Sequence, residues 1–126
     1  MNVSSSLQAF EALGGQLAVT ANNVANVNTE EFRASRVDLE DGPEGRGVRV
    51  ADIRESSDSG SRIPDEPGRL AAAGYSTAPQ GWVESSNADL VRELTWLMRE
   101  ETAYLANLHV LRADGESAGS IMDLFA

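Results

Sequence analysis

The residues most able to do chemistry in this 126-residue chain are scattered, and their spacing matches no familiar active site. His109 is the only histidine and there is no cysteine, so the usual zinc ligand sets cannot form. The acidic residues 38–42 (DLEDG) lack the spacing and the distal glutamate of a calcium loop. The glycine-rich residues 42–47 (GPEGRG) lack the lysine and the hydroxyl residue of a phosphate loop.

Serines and carboxylates are abundant, but they are not arranged for catalysis either. No serine lies in a G-x-S-x-G elbow, the pattern that exposes a nucleophilic serine. The carboxylates are spread along the chain without an apolar pocket that would raise a pKa for acid–base work. Residues 2–4 (NVS) form a glycosylation sequon, a short pattern that often occurs by chance. We therefore expect no enzyme activity, no metal and no cofactor.

The overall charge narrows the class of partner. Twenty acidic against ten basic residues give a formal net charge of −10, which repels nucleic-acid backbones and anionic lipids. No apolar run is long enough to span a bilayer, so no membrane insertion is expected. The first residues (MNVSSS) lack the basic start and the apolar run of a cleaved signal peptide. We expect any export to use a route that reads no such signal.

The longest ordered element is predicted at residues 86–126. Its apolar positions step by four and three, which favours a helix with a left-handed coiled-coil seam. At about 1.5 Å per residue such a helix is about 60 Å long, more than a chain of this size buries in its own core. The helix therefore needs a partner. The members of the seam are Leu90, Leu94, Leu97, Glu101, Tyr104, Leu108, Leu111, Gly115, Ala118, Met122 and Phe125.

A second seam lies in residues 1–34, where a shorter helix is predicted. Residues 1–29 contain one charged side chain, Glu11, although a solvated helix usually carries several on its outer face. One interpretation is a weakly amphipathic helix packed on the long one. The other, which we favour, is a helix whose outer side also faces protein in an assembly. The members of this seam are Val3, Leu7, Phe10, Gly14, Leu17, Ala21, Val24 and Asn28.

The intervening residues 35–85 are rich in charge, glycine, proline and serine, and predict an irregular, partly β insert. Candidate strands are residues 37–40, 47–54 and 75–83, with a turn at residues 42–47. The insert lacks enough apolar residues for an independent core. The fold class expected is mainly α, with the two terminal helices pairing as an antiparallel-type coiled coil.

Two features of the helices leave alternatives open. Ser86 or Asn87 can cap the long helix, and Asp89 suits the positive end of its dipole. Trp96, Ala103 and Val110 lie seven apart on a second face, either covered by the insert or in lateral contact with another subunit. The asparagines that end the first helix read, on physical grounds alone, as helix-terminating residues.

Two stretches resemble the bacterial flagellar rod and hook axial proteins. Residues 21–33 (ANNVANVNTEEFR), followed by 36–39 (RVDL), are similar to the family signature A-N-N-[IV]-A-N-x-N-T-P-G-[YF]-[KR]. Residues 86–94 (SNADLVREL), with 103–107 (AYLAN) downstream, are similar to the pattern S-N-V-D-L-x-x-E-[ML] then A-Y-x-A-N. The chain departs from the signature after Thr29, where Glu30 and Glu31 replace the Pro–Gly pair that makes a sharp turn.

The resemblance implies a structural role, and the short length looks most like the proximal-rod members. In that family the terminal helices pair as a coiled-coil core, and the subunits stack around an export channel. The implied partners are the chain itself, other rod subunits and the flagellar type III export apparatus. The implied location is the flagellar basal body in the cell envelope. The alternative is a helical binding module, such as a flagellar export chaperone or adaptor; a small acidic enzyme is remote.

The seams and the resemblance together predict assembly interfaces on both helices. On the N-terminal helix the predicted members are Leu7, Phe10, Leu17, Ala21, Asn22, Asn23, Val24, Asn26 and Asn28. On the C-terminal helix they are Leu90, Leu94, Trp96, Leu97, Tyr104, Asn107, Leu108, Leu111, Met122 and Phe125. By resemblance, the four asparagines are expected at packed junctions between neighbouring subunits.

Overall fold

Two long helices begin and end the part of the chain that the structure, a computed structural model, describes: residues 3–64 and 81–125. The first helix, α1, runs Val3–Ala25 and the second, α2, runs Leu90–Phe125. The predicted mainly helical chain with a small β middle is confirmed. Between the helices lie β1 (Ser35–Asp41), β2 (Val48–Glu55), β3 (Arg62–Pro64) and β4 (Trp82–Glu84). Most of the third predicted strand, 75–83, lies outside the described residues.

The two helices lie antiparallel. Thr20 of α1 hydrogen-bonds Glu100 of α2, whereas Ser6, earlier in α1, hydrogen-bonds Asn107, later in α2. Between these points the rings of Phe10 and Tyr104 lie 4.1 Å apart, in contact. Because α1 begins one turn before Ser6, the last turns of α2 extend past it.

The face that α2 turns toward the rest of the chain, which we call the inner face, differs from the predicted seam. Leu97, Tyr104 and Leu111 are half-buried as expected, but Leu90 and Leu108 are exposed. The helix is rotated because Glu93, one position before Leu94, is pulled inward by buried polar partners. The inner face consists of Glu93, Trp96, Leu97, Glu100, Ala103, Tyr104, Asn107, Val110, Leu111 and Asp114.

Strands β1 and β2 form an antiparallel hairpin in the position predicted for residues 37–54. The pairing runs from Ser35 opposite Glu55 to Asp41 opposite Val48. Its register shifts between Asp38 and Leu39, and such an irregularity increases the twist of a strand pair. The twisted hairpin lies along α1.

The tip of the hairpin is fixed on α1 by a close glycine contact. Gly47 has a φ of 72°, which favours glycine, and a Cβ there would lie 2.2 Å from the side-chain oxygen of Gln8. Further along, Val50 contacts Gly15 of α1 at ordinary van der Waals distance from its Cβ position. Gly47 therefore lets the tip of the hairpin approach α1, whereas the space at Gly15 would also accept a Cβ.

Strands β3 and β4 pair antiparallel and join the ends of the described segments. The backbone of Glu31 donates to the carbonyl of Glu84 at 2.8 Å, and that of Ser85 donates to Ser61 at 2.8 Å. Arg33 also pairs with the Glu84 carboxylate at 2.8 Å. These bonds bring the start of α2 beside the end of α1.

The helix α2 is capped by a different residue than predicted. The backbone N–H of Arg92 donates to the Asp89 carboxylate at 3.0 Å, so Asp89 is the N-cap. Asn87 instead accepts from the backbone of Ala34 and donates to the carbonyl of Asp58, both at 2.7 Å. Asn87 thus ties the entry of α2 to the start of β1, which a local cap argument could not foresee.

The turn after α1 is retained although Glu30 and Glu31 occupy the Pro–Gly positions of the family pattern. Glu31 has a φ of 58°, in the left-handed region that glycine enters without cost. For a non-glycine residue this backbone conformation raises the free energy of the folded state by roughly 1 kcal/mol.

Replacing Glu31 with glycine should therefore stabilise the chain by about 0.5 kcal/mol or less, because the relieved strain is offset by the added freedom of the unfolded state. Thermal unfolding followed by circular dichroism measures the change. Glu30 is the matched control, because its φ is not positive. Glu30→Gly should destabilise by about 0.5–1 kcal/mol. Stabilisation by Glu30→Gly but not by Glu31→Gly would contradict the strain at Glu31.

Candidate assembly interface

The ends of α1, β1 and α2 meet at a buried polar junction centred on Asn23. Asn23 is fully buried, and its amide accepts from the Ser35 backbone N–H at 2.9 Å and donates to the Ser35 carbonyl at 2.8 Å. The same nitrogen donates to the Glu93 carboxylate at 3.2 Å. One side chain thus hydrogen-bonds the backbone N–H and C=O of Ser35 and the carboxylate of Glu93. This set needs one acceptor and two donors, which an amide side chain provides.

Glu93 is the second centre of the junction, and it is also fully buried. Arg36 of β1 donates to both of its carboxylate oxygens, one at 3.0 Å. The Arg36 guanidinium also lies 3.9 Å from the ring centroid of Trp96. A buried carboxylate is tolerated only when it is paired and hydrogen-bonded, and Glu93 meets both conditions.

The junction brings together residues from the two stretches that resemble the axial-protein patterns. Asn23 lies in residues 21–33, Arg36 opens residues 36–39, and Asn87 and Glu93 lie in residues 86–94. The similarity at opposite ends of the chain therefore corresponds to one site in space. That site sets the angle at which β1 leaves the helix pair.

A groove of about 420 Å³ lies beside the junction, between α1, β1 and α2. Leu13, Val37 and Trp96 form part of its apolar lining, and Glu100 lines one side. Thr20 donates to one Glu100 oxygen at 3.0 Å, while the other is buried without a hydrogen-bond partner among the described residues. Burial therefore raises the pKa of Glu100 above its ordinary value of 4.5, with Thr20 opposing the shift.

Because the folded chain holds the proton on Glu100 more tightly than the unfolded chain, this carboxyl favours folding at low pH. That contribution is lost as the pH rises through the raised pKa toward neutrality. We expect Glu100→Gln to raise the melting temperature at pH 7 and to have little effect near pH 4. Glu101→Gln removes the same charge from an exposed neighbour and is the control. Equal effects of the two substitutions at pH 7 would contradict a burial penalty at Glu100.

The side of α2 that faces away from α1 carries a long apolar surface, which we call the outer stripe. Val91 and Met98 are 76% and 68% exposed, and seven-residue spacing continues the stripe to Leu105. The stripe is about 27 Å long, and Glu101 is the charge within it. The outer stripe consists of Leu90, Val91, Leu94, Met98, Leu105 and Leu108.

The outer side of α1 is small, apolar and almost uncharged. Leu7 is half exposed, Ala18, Ala21 and Ala25 are exposed beyond it, and Glu11 is the only charged side chain of the helix. Among the described residues only Ala12, Ala34 and Val83 are buried apolar side chains. Much of the apolar surface of the described residues is therefore exposed to solvent.

The predicted interface residues divide between these surfaces. Buried or half-buried against the chain itself are Phe10, Leu17, Asn23, Val24, Asn26, Trp96, Leu97, Tyr104, Asn107 and Leu111. Exposed are Leu7, Ala21, Asn22, Asn28, Leu90, Leu94, Leu108 and Met122. The side chain of Phe125 lies outside the described part.

Two of the open alternatives can be set beside the structure. The Arg36 guanidinium of β1 lies over the Trp96 ring, and Trp96 shares the half-buried inner face with Ala103 and Val110. The side chain of Asn26 donates to the carbonyl of Asn22 at 2.9 Å, as a helix-ending asparagine does. Asn23, by contrast, joins α1 to Ser35 of β1 and Glu93 of α2 through side-chain hydrogen bonds.

Sequence reasoning missed several members of the outer stripe and one of the polar contacts between α1 and α2. Val91, Met98 and Leu105 recur every seven residues and were detectable as a second apolar repeat beside the leucines. Thr20 and Glu100 left no local signal, because each is ordinary on a helix until the other is brought opposite it.

The described residues contain no grouping of histidine or acidic side chains arranged to hold a metal ion. In the same part of the chain, no helix combines the length and apolar character needed to cross a membrane. The features that stand out are therefore the junction, the outer stripe and the outer side of α1.

Comparison with known proteins finds a matching family and two relatives. Residues 5–33 match the family model described as "Flagella basal body rod protein". Over 113 residues the chain is 31% identical to the flagellar basal-body rod protein FlgC of Escherichia coli O6:H1, covering 82% of this chain and 80% of that protein. The FlgC protein of Escherichia coli O157:H7 matches to the same extent.

Proposed function

Since the chain belongs to the flagellar basal-body rod protein family, we propose that it is a rod subunit that builds the rod by associating with its own copies and with other rod subunits. Membership places the chain in the flagellar basal body, a structure that serves motility. The family is a structural one, and the proposal contains no catalytic step.

The observation that carries the assembly proposal is the outer stripe. Scattered exposed apolar side chains are ordinary on a protein surface, but a contiguous apolar surface along a helix marks an interaction site. With a net charge of −10, separate copies repel, so contact surfaces are expected where charge is sparse. The outer stripe and the outer side of α1 are two such surfaces.

We assign the exposed members of the predicted interfaces to contacts between subunits. On α2 these are Leu90, Leu94 and Leu108, joined by Val91 and Met98. On α1 they are Leu7 and Ala21, with Asn22 and Asn28 at the helix end. The large side chains on α2 of one subunit can pack closely into the shallow grooves between the small side chains on α1 of a neighbouring subunit.

The half-buried members serve a different purpose in this proposal. Phe10, Tyr104 and Leu111 hold α1 against α2 within a subunit, as a coiled-coil-type pair. Met122 and Phe125 lie where α2 extends past α1, and there the partner is a neighbouring subunit. Export is proposed to use the flagellar type III apparatus, without a cleaved signal.

The competing function is a helical binding module, such as an export chaperone or adaptor that offers the outer stripe to one client. The two functions differ in stoichiometry. A rod subunit associates repeatedly, through different faces at its two contacts, whereas a chaperone forms a closed complex of fixed size.

Sedimentation velocity with electron microscopy, across a wide concentration range, separates the two functions. We expect dilute chain to be monomeric and concentrated chain, alone or mixed with other rod subunits, to form ordered assemblies that lengthen with concentration. A complex that stops at one fixed stoichiometry with an exported flagellar protein would favour the binding module instead.

A further inference from the structure

The inner face of α2 carries a polar residue at every seventh position. These residues are Glu93, Glu100, Asn107 and Asp114. Pairs of half-buried apolar or aromatic residues separate them, for example Ala103 with Tyr104. Apolar positions alone would hold two helices together, and each polar group taken from water carries a cost. The repeated polar position therefore has to contribute something other than adhesion.

Three of the four polar residues meet a polar partner on α1. Asn23 donates to Glu93 at 3.2 Å, and Thr20 donates to Glu100 at 3.0 Å. Asn107 donates to the carbonyl of Ser6 at 2.8 Å. We call these three contacts the polar ladder. It spans the length over which the two helices overlap.

Two contacts of the polar ladder, Asn23–Glu93 and Thr20–Glu100, join two side chains and so require one alignment, whereas Asn107 binds a backbone carbonyl. Sliding α1 by seven residues along α2 would bring Asn23 opposite Glu100 and would remove the amide from Glu93. Arg36 would move with β1, because Asn23 holds the adjacent Ser35 through two backbone bonds. Glu93 is fully buried, and an unpaired buried carboxylate costs several kcal/mol. A parallel orientation separates the partners in the same way.

The outer stripe has no comparable selectivity. Its exposed positions are apolar along most of its length, so it adheres to an apolar helix at several registers with similar energy. A single polar residue at a buried coiled-coil position is known to fix register at some expense of stability. The ladder repeats that device along α2.

We infer that the polar ladder specifies the register and the antiparallel orientation of α1 on α2, and reserves the inner face for an α1 that carries matching polar groups. Neighbouring helices are thereby confined to the outer stripe. Only this last consequence rests on the proposed function. The assignment of register stands without it.

The test is a distance measurement between two spin labels in dilute protein. The chain has no cysteine, so cysteines placed at the exposed Ala18 and Ala106 are the sole labelling sites. The ladder variant replaces Thr20 by Val, and Asn23, Glu93, Glu100 and Asn107 by Leu. The unsubstituted labelled chain should give one distance. The ladder variant should remain helical and should add a second distance that differs by several ångströms, because a seven-residue slip moves the helices about 10 Å along their axes.

A matched control adds apolar surface away from the ladder, at exposed polar positions. Its substitutions are Ser4→Leu, Glu11→Leu, Thr95→Val, Thr102→Leu and Glu116→Leu. This variant should keep the single distance of the unsubstituted chain. A single, unshifted distance in the ladder variant would overturn the inference, as would an equal second peak in the control.

A smaller variant, Arg36→Met with Glu93→Leu and Glu100→Leu, removes both ladder carboxylates without leaving a buried charge unpaired, and it keeps the two Asn23–Ser35 bonds that hold β1 on α1. It decides the question if the larger variant loses its helices by circular dichroism. A measurable slipped distance supports the ladder, and its absence overturns the ladder. Neither result bears on rod assembly, which is measured separately by sedimentation of the unsubstituted chain.

Discussion

Replacing Arg36 with methionine should destabilise the folded chain by about 3–5 kcal/mol. Glu93 is fully buried, and Arg36 donates to both of its oxygens. Methionine keeps the apolar stem of arginine but leaves the carboxylate with Asn23 as its remaining partner in the junction. Since small domains have about 5–15 kcal/mol of total stability, this loss should be evident as a large drop in the urea midpoint.

Arg92 provides the matched control for this prediction. Its guanidinium lies 5.6 Å from the same Trp96 ring, but Arg92 is exposed on α2. Arg92→Met should therefore change stability by about 0.5 kcal/mol or less.

Combining Arg36→Met with Glu93→Leu removes both charges, so the pair should recover much of the loss. If Arg36→Met proved no more harmful than Arg92→Met, the junction would not be holding the fold.

Aspartate at Met98 and Leu105 should abolish association between subunits while leaving the monomer folded. Both side chains lie on the outer stripe and face away from α1, so the monomer should lose about 0.5 kcal/mol or less per site. In an assembled interface the same aspartates would be buried without a partner, which costs several kcal/mol. Each 1.4 kcal/mol weakens association tenfold, so we expect a loss of at least about 100-fold.

Sedimentation velocity of the variant, beside thermal unfolding of the same sample, measures both parts of this prediction. Ala106→Asp is the control, because it adds a negative charge to an exposed position of α2 beside the stripe. That variant should associate nearly as well as the unsubstituted chain. Undiminished association of the Met98→Asp, Leu105→Asp variant would exclude the outer stripe as the contact.

The existence of the elements followed from the sequence because their signals are local. Heptad spacing predicted both helices, and the predicted turn at residues 42–47 lies between the two predicted strands, the second of which is observed at Val48–Glu55. That the nearly uncharged outer side of α1 faces protein in an assembly stays a prediction. Each of these features depends on residues close together in the chain.

The orientation of α2 could not be predicted, because it is set by residues far away in sequence. Leu90, Leu94 and Leu108 make a stronger apolar seam than a line containing Glu93 and Asn107. Asn23 and Arg36 turn Glu93 inward, and they lie 70 and 57 residues before it. The sequence does not show that these polar groups meet.

The same separation along the sequence explains why some site residues were not recognised from the sequence. Glu93 reads as an exposed glutamate in the first turns of a helix until Arg36 and Asn23 are placed beside it. Trp96 was compatible with either an insert contact or a subunit contact, and Arg36 of β1 lies over its ring within the chain. The outer stripe, in contrast, is a local repeat and was readable from Val91, Met98 and Leu105.

The most direct test of the central claim is to locate the chain in isolated flagellar basal bodies. A tag inserted at Ser57, an exposed position in the loop after β2, avoids both helices. Electron microscopy of basal bodies from cells carrying the tagged chain should place the tag in the rod, and the Met98→Asp, Leu105→Asp variant should be absent from it. Tag density only at the export apparatus, or rods that form with the variant chain incorporated, would contradict the account.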